Sequence, residues 1–292
     1  MPTLNGEPYL SQQLDSIFNQ QGCEVKLIVL DNGSTDGTLE ILRKYQSKGF
    51  PLELLHSTTK GATKAFFALI EVAPTSDFYA FSDQDDIWLP QKLSSLVALC
   101  ENEQPELAFS SRALINKAGE LFDHNQTYSQ DFTWNNAIIQ NIVPGNCIVL
   151  NSAAMNLLKN FPQPAVAHYD SWIYLVMSIF GRIHYSPEEL VQYRIHGNNA
   201  VGLRTNLDLF NTFTRVRNYL DQARELAQQK PSELNEVQQK NFSEFKSVVN
   251  QLTNGSRLSR FQSALKAPIY RRHKRETLIF KVALALFLLL NL

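Results

Sequence analysis

Apolar positions along the first hundred residues alternate between two rhythms. Leu10, Leu14, Ile17 and Phe18 fall on one face at helical spacing, which predicts a helix over residues 9–20. Val25 to Leu30 is a short apolar run that breaks into Asp31-Asn32-Gly33-Ser34-Thr35-Asp36-Gly37, the pattern of a buried strand followed by a polar turn. Leu39, Ile41, Leu42 and Tyr45 predict a second helix, Leu52 to Leu55 a brief strand, and Gly61 to Val72 a third helix. Phe78 to Ser82 reads as a strand, and Pro90 to Glu103 as a helix. Strands alternating with helices predict an α/β fold with a mostly parallel sheet flanked by helices. Ligands of such sheets collect beyond the carboxyl ends of the strands. Both polar turns lie there.

Past residue 106 the rhythm loosens. Strands are expected at Leu107 to Ile115 and Cys147 to Leu150, and helices near Trp134 to Gln140 and from Asp170 to Phe180. Ile183 to Tyr185 and Leu190 to Tyr193 read as two extended pieces. From about Leu207 the pattern is wholly helical, with Pro231 expected to open a second long helix and Asn254-Gly255 to end it. The expected division is an α/β domain over residues 1–204 and a helical extension over 205–292. Met1 to Gly6 reads as the end of a first strand and its loop, so that strand looks truncated and an upstream start is expected.

Charge changes the picture at the far end. Residues 256–281 hold eight of the 27 Lys/Arg and one of the 28 Asp/Glu, a local charge of +7 that leaves −8 on the remainder. A basic tail on an acidic body predicts contact between the tail alone and an anionic surface. Nucleic-acid binding would spread basic residues over a domain face, so no nucleic-acid partner is expected. Val282 to Leu290 carries no charge, but the run is too short to span a bilayer, which takes about 20 apolar residues. It suits a helix lying in the membrane interface, or one packed on the protein's own surface. Cys23, Cys100 and Cys147 are widely spaced, which fits reduced thiols and no zinc site. The first twenty residues mix polar and apolar types, so no signal peptide is expected. The expected location is the cytoplasm, or peripherally the inner face of the plasma membrane.

The chemistry concentrates in Asp83-Gln84-Asp85-Asp86, delivered by the strand before it. Carboxylates this close raise one another's pKa unless a cation sits among them. Oxygen ligands suit Mg²⁺ or Mn²⁺, which are usually held by one or two carboxylates plus substrate phosphates. The plainer alternative is an acidic turn capping the helix from Pro90. Asp86 fits that cap, and Trp88 fits the core.

Pro2-Thr3-Leu4-Asn5-Gly6, Asp31 to Thr38 and Ser82-Asp83-Gln84-Asp85-Asp86-Ile87-Trp88-Leu89-Pro90 occur in this order and spacing. Together they resemble glycosyltransferase family 2, the inverting enzymes of the GT-A (Rossmann-like) fold. With Tyr193-Arg194-Ile195-His196-Gly197-Asn198-Asn199 they are most similar to bacterial rhamnosyltransferases of surface polysaccharide synthesis. The resemblance covers residues 1 to about 202. It implies that Pro2, Thr3, Asn5, Asp31, Asp83 and Arg194 bind a nucleotide-sugar donor, and that Asp85 and His196 hold the metal. It also implies that Asp170, in Tyr169-Asp170-Ser171-Trp172, is the base that deprotonates an acceptor hydroxyl. Asn32 stands where the family commonly has a second Asp. Pro144-Gly145-Asn146-Cys147 matches a turn beside the acceptor, with Cys147 not a nucleophile. Lys60 and Lys64 read as surface lysines near a helix start.

The expected function is transfer of a sugar, L-rhamnose from dTDP-L-rhamnose first, to a hydroxyl of a glycan or lipid-linked glycan. UDP-glucose, UDP-galactose or UDP-GlcNAc are the alternative donors, and a non-catalytic glycan-binding protein is the alternative class. A glycoside hydrolase would use paired carboxylates but has no reason to keep a nucleoside crevice. No Gly-x-x-x-x-Gly-Lys-Ser/Thr string supports a P-loop NTPase.

Overall fold

The computed structural model describes residues 1–58, 61–100, 103–124, 128, 131–165, 168–197, 209–271 and 274–290. Lys60, Asn198 and Asn199 lie outside them. In chain order the elements are β1 (Pro2–Thr3), α1 (Leu10–Phe18), β2 (Leu27–Asp31), α2 (Thr38–Ser47), β3 (Leu52–His56), α3 (Ala62–Val72), β4 (Phe78–Ala80), β5 (Ile87–Trp88), α4 (Lys92–Val97), β6 (Glu106–Ile115) and β7 (Leu121–His124). There follow α5 (Trp134–Ala137), a 3-10 turn at Gly145–Cys147, β8 (Ile148–Asn151), α6 (Ser152–Lys159), α7 (Tyr169–Phe180) and β9 (Arg182–Arg194). Four helices finish the chain: α8 (Leu209–Ala227), α9 (Glu236–Thr253), α10 (Arg257–Lys266) and α11 (Lys274–Leu290).

The chain divides into two compact units. The first comprises residues 1–129, 143–159 and 183–203. Its parallel sheet has the order β1-β2-β3, with Pro2 beside Leu30 and Thr3 beside Asp31. Leu10, Gln13, Leu14 and Ile17 form the buried stripe of α1, the face that the spacing predicted. A second sheet runs β4-β8-β6-β9-β5, with β7 paired to β6. Its β4–β8, β5–β9, β6–β7 and β6–β8 pairs are antiparallel, a layer that the apolar pattern did not separate from the parallel one.

The second unit comprises residues 130–142, 160–182 and 204–292. This departs from the expected boundary at 204, because α5 and α7 belong with the helices. The physical reason is visible in α7, which is buried almost all round from Ser171 to Phe180 and needs helical neighbours on several sides. Phe180 packs on Phe161 and Phe242, Trp134 on Phe245, and the Tyr174 hydroxyl donates to Asn136 Oδ1 at 2.9 Å. The second long helix starts at Glu236 rather than Pro231. Asn235 and Gln238 form a reciprocal capping box there, which satisfies two N–H groups that Pro231 could not. It stops as expected, at Asn254 and the left-handed Gly255 (φ +96°). The C-terminal apolar run forms α11, and no helix of the described residues is long and apolar enough to cross a membrane.

Candidate active site

The carboxyl ends of β1 and β2 make a corner where Thr3 and Asp31 lie side by side, both buried. Asp31 Oδ2 accepts the N–H groups of Gly33 (3.0 Å) and Ser34 (3.1 Å), while Oδ1 accepts the Ser34 hydroxyl (2.5 Å). Gly33 sits at φ +92°, a conformation glycine adopts without steric cost. Asn5, itself left-handed at φ 50°, donates its N–H to Ser34 Oγ at 2.9 Å and accepts the Thr35 N–H at 2.9 Å. Asp36 turns the chain into α2 by accepting the Thr38 N–H and hydroxyl. One atom here is left over. Asn32 Oδ1 is buried without a hydrogen-bond partner.

Gln84 ties this corner to the acidic loop. Its Oε1 accepts the Thr3 hydroxyl at 2.7 Å and the Leu4 N–H at 2.9 Å, and its Nε2 donates to the Leu4 carbonyl at 3.2 Å. Gln84 lies between Asp83 and Asp85, so these contacts tie the backbone of the acidic loop to the strand-end corner.

The three aspartates then diverge. Asp85 Oδ2 and His196 Nε2 are hydrogen-bonded at 2.8 Å, with side chains only 13% and 9% exposed, and the His196 ring stacks on Tyr9. Asp86 is fully buried, accepting the Arg194 N–H on Oδ1 (3.2 Å) and the Asn146 amide on Oδ2 (2.6 Å). Burial first, then the charge of Asp85, pushes its carboxyl up to about 6. Asp86 is therefore not the expected helix cap. Gln91 occupies the cap position of α4, and no side-chain cap is formed. Asp83 is half-buried, and its charge is felt at Lys92 and Tyr193.

Behind the loop lies a buried cation that the sequence did not single out. Lys92 Nζ donates to the Asn146 carbonyl at 2.7 Å and sits 3.2 Å from the Trp88 ring centroid. Desolvation pulls its ammonium down to about 7. Asn146 thus bridges Asp86 and Lys92. Trp88 is core, as expected, and burial pushes the Cys147 thiol up to about 11, which agrees with an inert cysteine.

Arg194, expected to bind the donor, is engaged within the protein. It is buried, and its guanidinium nitrogens are directed to protein acceptors rather than outward as a fork for phosphate. Nε donates to the Asp85 carbonyl (2.9 Å), Nη1 to the carbonyls of Asn116 (3.3 Å) and Lys117 (3.1 Å), and Nη2 to Gln12 Oε1 (2.7 Å). Arg194 thus holds the backbone of Asp85, whose carboxylate pairs with His196.

The donor set is compatible with a divalent ion. Asp85 and His196 bring one carboxylate oxygen and one imidazole nitrogen together, a pair that suits Mn²⁺ and accepts Mg²⁺ if phosphate oxygens complete the sphere. Among the described residues no group of three or more His, Cys, Asp or Glu is clustered for a metal. The protein's share would be two ligands.

Asp170 belongs to the second unit, in the first turn of α7. It is half-buried, and its Oδ1 accepts the Ser171 N–H at 2.8 Å. His184 lies in β9 within 3.4 Å of Glu106, strand-bound as expected. Lys64 is exposed on α3.

Several comparisons bear on this arrangement. The model of glycosyl transferase family 2 matches residues 1–159. The dTDP-rhamnosyl transferase RfbG of Shigella flexneri is 37% identical over 103 residues, 33% of this chain and 35% of that protein. An uncharacterized glycosyltransferase, alr2836, of Nostoc sp. is 26% identical over 204 residues, 65% of this chain and 62% of its own length. The chain thus spans about a third and under two thirds of these relatives. S. aureus TarS 1–349, solved in complex with UDP-GlcNAc, superposes with a TM-score of 0.60 at 16% identity over 98% of this chain and 89% of that one. The mannosyltransferase PcManGT from Pyrobaculum calidifontis, solved with GDP-Man and Mn²⁺, superposes with a TM-score of 0.57 at 15% identity over 99% and 86%. These likenesses establish the GT-A fold, and with the family match over more than half of its residues this chain belongs to glycosyl transferase family 2.

Proposed function

We propose that the protein is an inverting glycosyltransferase that moves a sugar from a nucleoside-diphosphate donor to a hydroxyl of a cell-surface glycan. The observation that carries this reading is the Gln84 clasp on Thr3 and Leu4, which ties the loop bearing Asp83 and the Asp85–His196 pair to the ends of β1 and β2. The corner suits a nucleoside. Asp31 has three of its roughly four acceptor positions filled, leaving one for a ribose hydroxyl. Asn32 Oδ1, an acceptor buried without a partner, costs about 1–3 kcal/mol that an N–H of a thymine or uracil ring would offset. Pro2 and Asn5 line the same loop, and Asp83 is assigned to the ribose.

A Mg²⁺ or Mn²⁺ ion held by Asp85 and His196 would neutralise charge developing on the departing diphosphate. Arg194 fixes that pair by holding the Asp85 carbonyl. We assign Asp170 as the base. In the displacement the acceptor oxygen forms its bond to the anomeric carbon as the bond to the phosphate oxygen breaks, and the hydroxyl proton passes to the Asp170 carboxylate.

For the donor we favour dTDP-L-rhamnose, supported by the identity to RfbG over a third of the chain. UDP sugars are the second reading, favoured by the 26% identity to the E. coli UDP-Glc:alpha-D-GlcNAc-diphosphoundecaprenol beta-1,3-glucosyltransferase WfgD over 60% of this chain and 66% of that protein. An acceptor carried on a membrane lipid would place the enzyme at the anionic inner leaflet through its basic C-terminal segment.

Calorimetric titration of dTDP-L-rhamnose, UDP-glucose, UDP-galactose and UDP-GlcNAc into the purified chain with Mn²⁺, repeated in EDTA, tests the reading. The expected result is tightest binding of dTDP-L-rhamnose, lost in EDTA. A preferred UDP sugar selects the second reading. Equal affinity in EDTA removes the metal, and no nucleotide binding at all leaves a non-catalytic glycan binder.

A further inference from the structure

The C-terminal helix buries one face and leaves an apolar one open. Phe280, Leu284, Phe287 and Leu288 of α11 are buried within the second unit. Leu278, Val282, Leu286 and Leu290, each four residues after the last, form a separate stripe on the opposite side. Leu278 is 64% and Leu290 56% exposed, and Val282 and Leu286 are also exposed. The stripe runs about 18 Å along the helix at 1.5 Å per residue. A helix packed only against its own protein places polar residues there. The neighbouring helix α10, which packs along α11, adds exposed Leu258 and Leu265.

Charge says what covers this face. Exposed Arg257, Lys266 and Lys274 border it, within the segment of charge +7. On the other side of α11, away from the stripe, a cavity of about 270 Å³ is lined by Arg217, Asp221, Arg224 and Arg260, with Phe287 and Leu288 of the buried face as its apolar wall. Asp221 answers only part of the positive charge, through one ion pair with Arg224 at 3.0 Å. Arg260 Nε is buried without a hydrogen-bond partner. The exposed basic residues at the rim of this open apolar stripe match anionic headgroups with acyl chains attached.

We infer that the outer face of α10 and α11 docks on an anionic phospholipid bilayer, with the Leu278–Leu290 stripe in the acyl boundary and Arg257, Lys266 and Lys274 at the anionic headgroups. The helix lies in the plane of the surface, since its other face is committed to the protein. This deepens the membrane placement proposed above and rests on it, but not on the identity of the sugar.

The test is flotation of the full chain with phosphatidylcholine vesicles, with and without phosphatidylglycerol. Wild type is expected to float only with phosphatidylglycerol present. Val282→Glu/Leu286→Glu changes two exposed positions, so it should keep the wild-type melting temperature and donor affinity while losing vesicle binding by more than about tenfold. Lys266→Gln/Lys274→Gln is expected to weaken binding to phosphatidylglycerol vesicles severalfold. No flotation of wild type overturns the membrane placement and this face together. Unchanged flotation of the double variant overturns this face alone. The same holds if light scattering shows that the double variant merely turns a dimer into a monomer and still floats. Unchanged binding of that lysine variant overturns the assignment of the basic border to anionic headgroups.

Discussion

Replacing Arg194 by lysine keeps the positive charge and removes the fork, which separates a positioning role from a donor-binding one. The guanidinium spans four acceptors: the carbonyls of Asp85, Asn116 and Lys117 and the side chain of Gln12. One ammonium nitrogen on a shorter stem can satisfy about half of these; the Asn116 carbonyl keeps the Gly119 N–H, and Gln12 and Lys117 are exposed, so about one part-buried acceptor loses its partner. Its loss costs about 1–3 kcal/mol. The stacking of the guanidinium on Tyr9, with its carbon 4.8 Å from the ring centroid, is weakened as well. Urea unfolding followed by tryptophan fluorescence should show a lower midpoint with little change in slope. Because Asp85 and His196 lose their support, Mn²⁺-dependent donor binding should fall in step with stability and recover partly at low temperature. An unchanged midpoint with donor affinity reduced tenfold would refute the reasoning and return Arg194 to the phosphate.

Two further outcomes follow from buried and half-buried charges. Lys92 is held at about 7 in the folded protein against 10.5 for a free lysine, so between those values the unfolded chain binds a proton that the folded one does not. Stability should therefore rise with pH from about 7 to 10, and urea melts of Lys92→Met should lack about 4 kcal/mol of that rise; matching pH profiles would show that Lys92 is not buried as a lysine. Asp170→Asn should cut transfer by at least about a hundredfold while nucleotide-sugar affinity stays within twofold, and equal loss of both would end its assignment as the base.

Much of this architecture is readable from local pattern, and what is not has identifiable causes. The spacing of Leu10, Leu14 and Ile17 gives α1 directly, because a buried stripe needs only one face. β9 reads as two pieces because Pro187, Glu188 and Glu189 interrupt the apolar run, although the backbone stays extended through them. α6 goes unread since it follows β8 without a turn, yet Asn151 is its signal: its Oδ1 accepts the Ala154 N–H at 2.9 Å as a cap would. The membership of α5 and α7 in the helical unit is not legible, because an all-round apolar helix does not say which neighbours bury it. In the site, Asp31, Asp83 and Asp85 stand out by type and spacing. The contacts of Arg194 are not legible because its acceptors include backbone carbonyls 77 and 78 residues away, which leave no trace in side-chain pattern. Asn146 and Lys92 are hidden for the same reason.

Those two residues explain how three neighbouring carboxylates are tolerated. Asp86 is buried and raised, Lys92 is buried and lowered, and Asn146 offers its amide to one and its carbonyl to the other. Between about pH 6 and 7 the proton favours Lys92, so the Asp86 carboxylate and the Lys92 ammonium offset one another and the array's net charge is close to zero. A direct Asp86–Lys92 contact would make the same sum but would leave no bridge to the turn that carries Asn146. The neutral array leaves Asp85 and Asp83 as the charge presented to a ligand. Asp86 spends its own oxygens on the Arg194 N–H and on Asn146, so it locks the strand that ends at Arg194 to the acidic loop. Arg194 returns the contact through the Asp85 carbonyl, and His196, two residues on, is thereby held at the Asp85 carboxylate. Asp85 and His196 are thus preorganised by buried polar groups that need not touch a substrate, which is the condition for electrostatic stabilisation without reorganisation during the reaction.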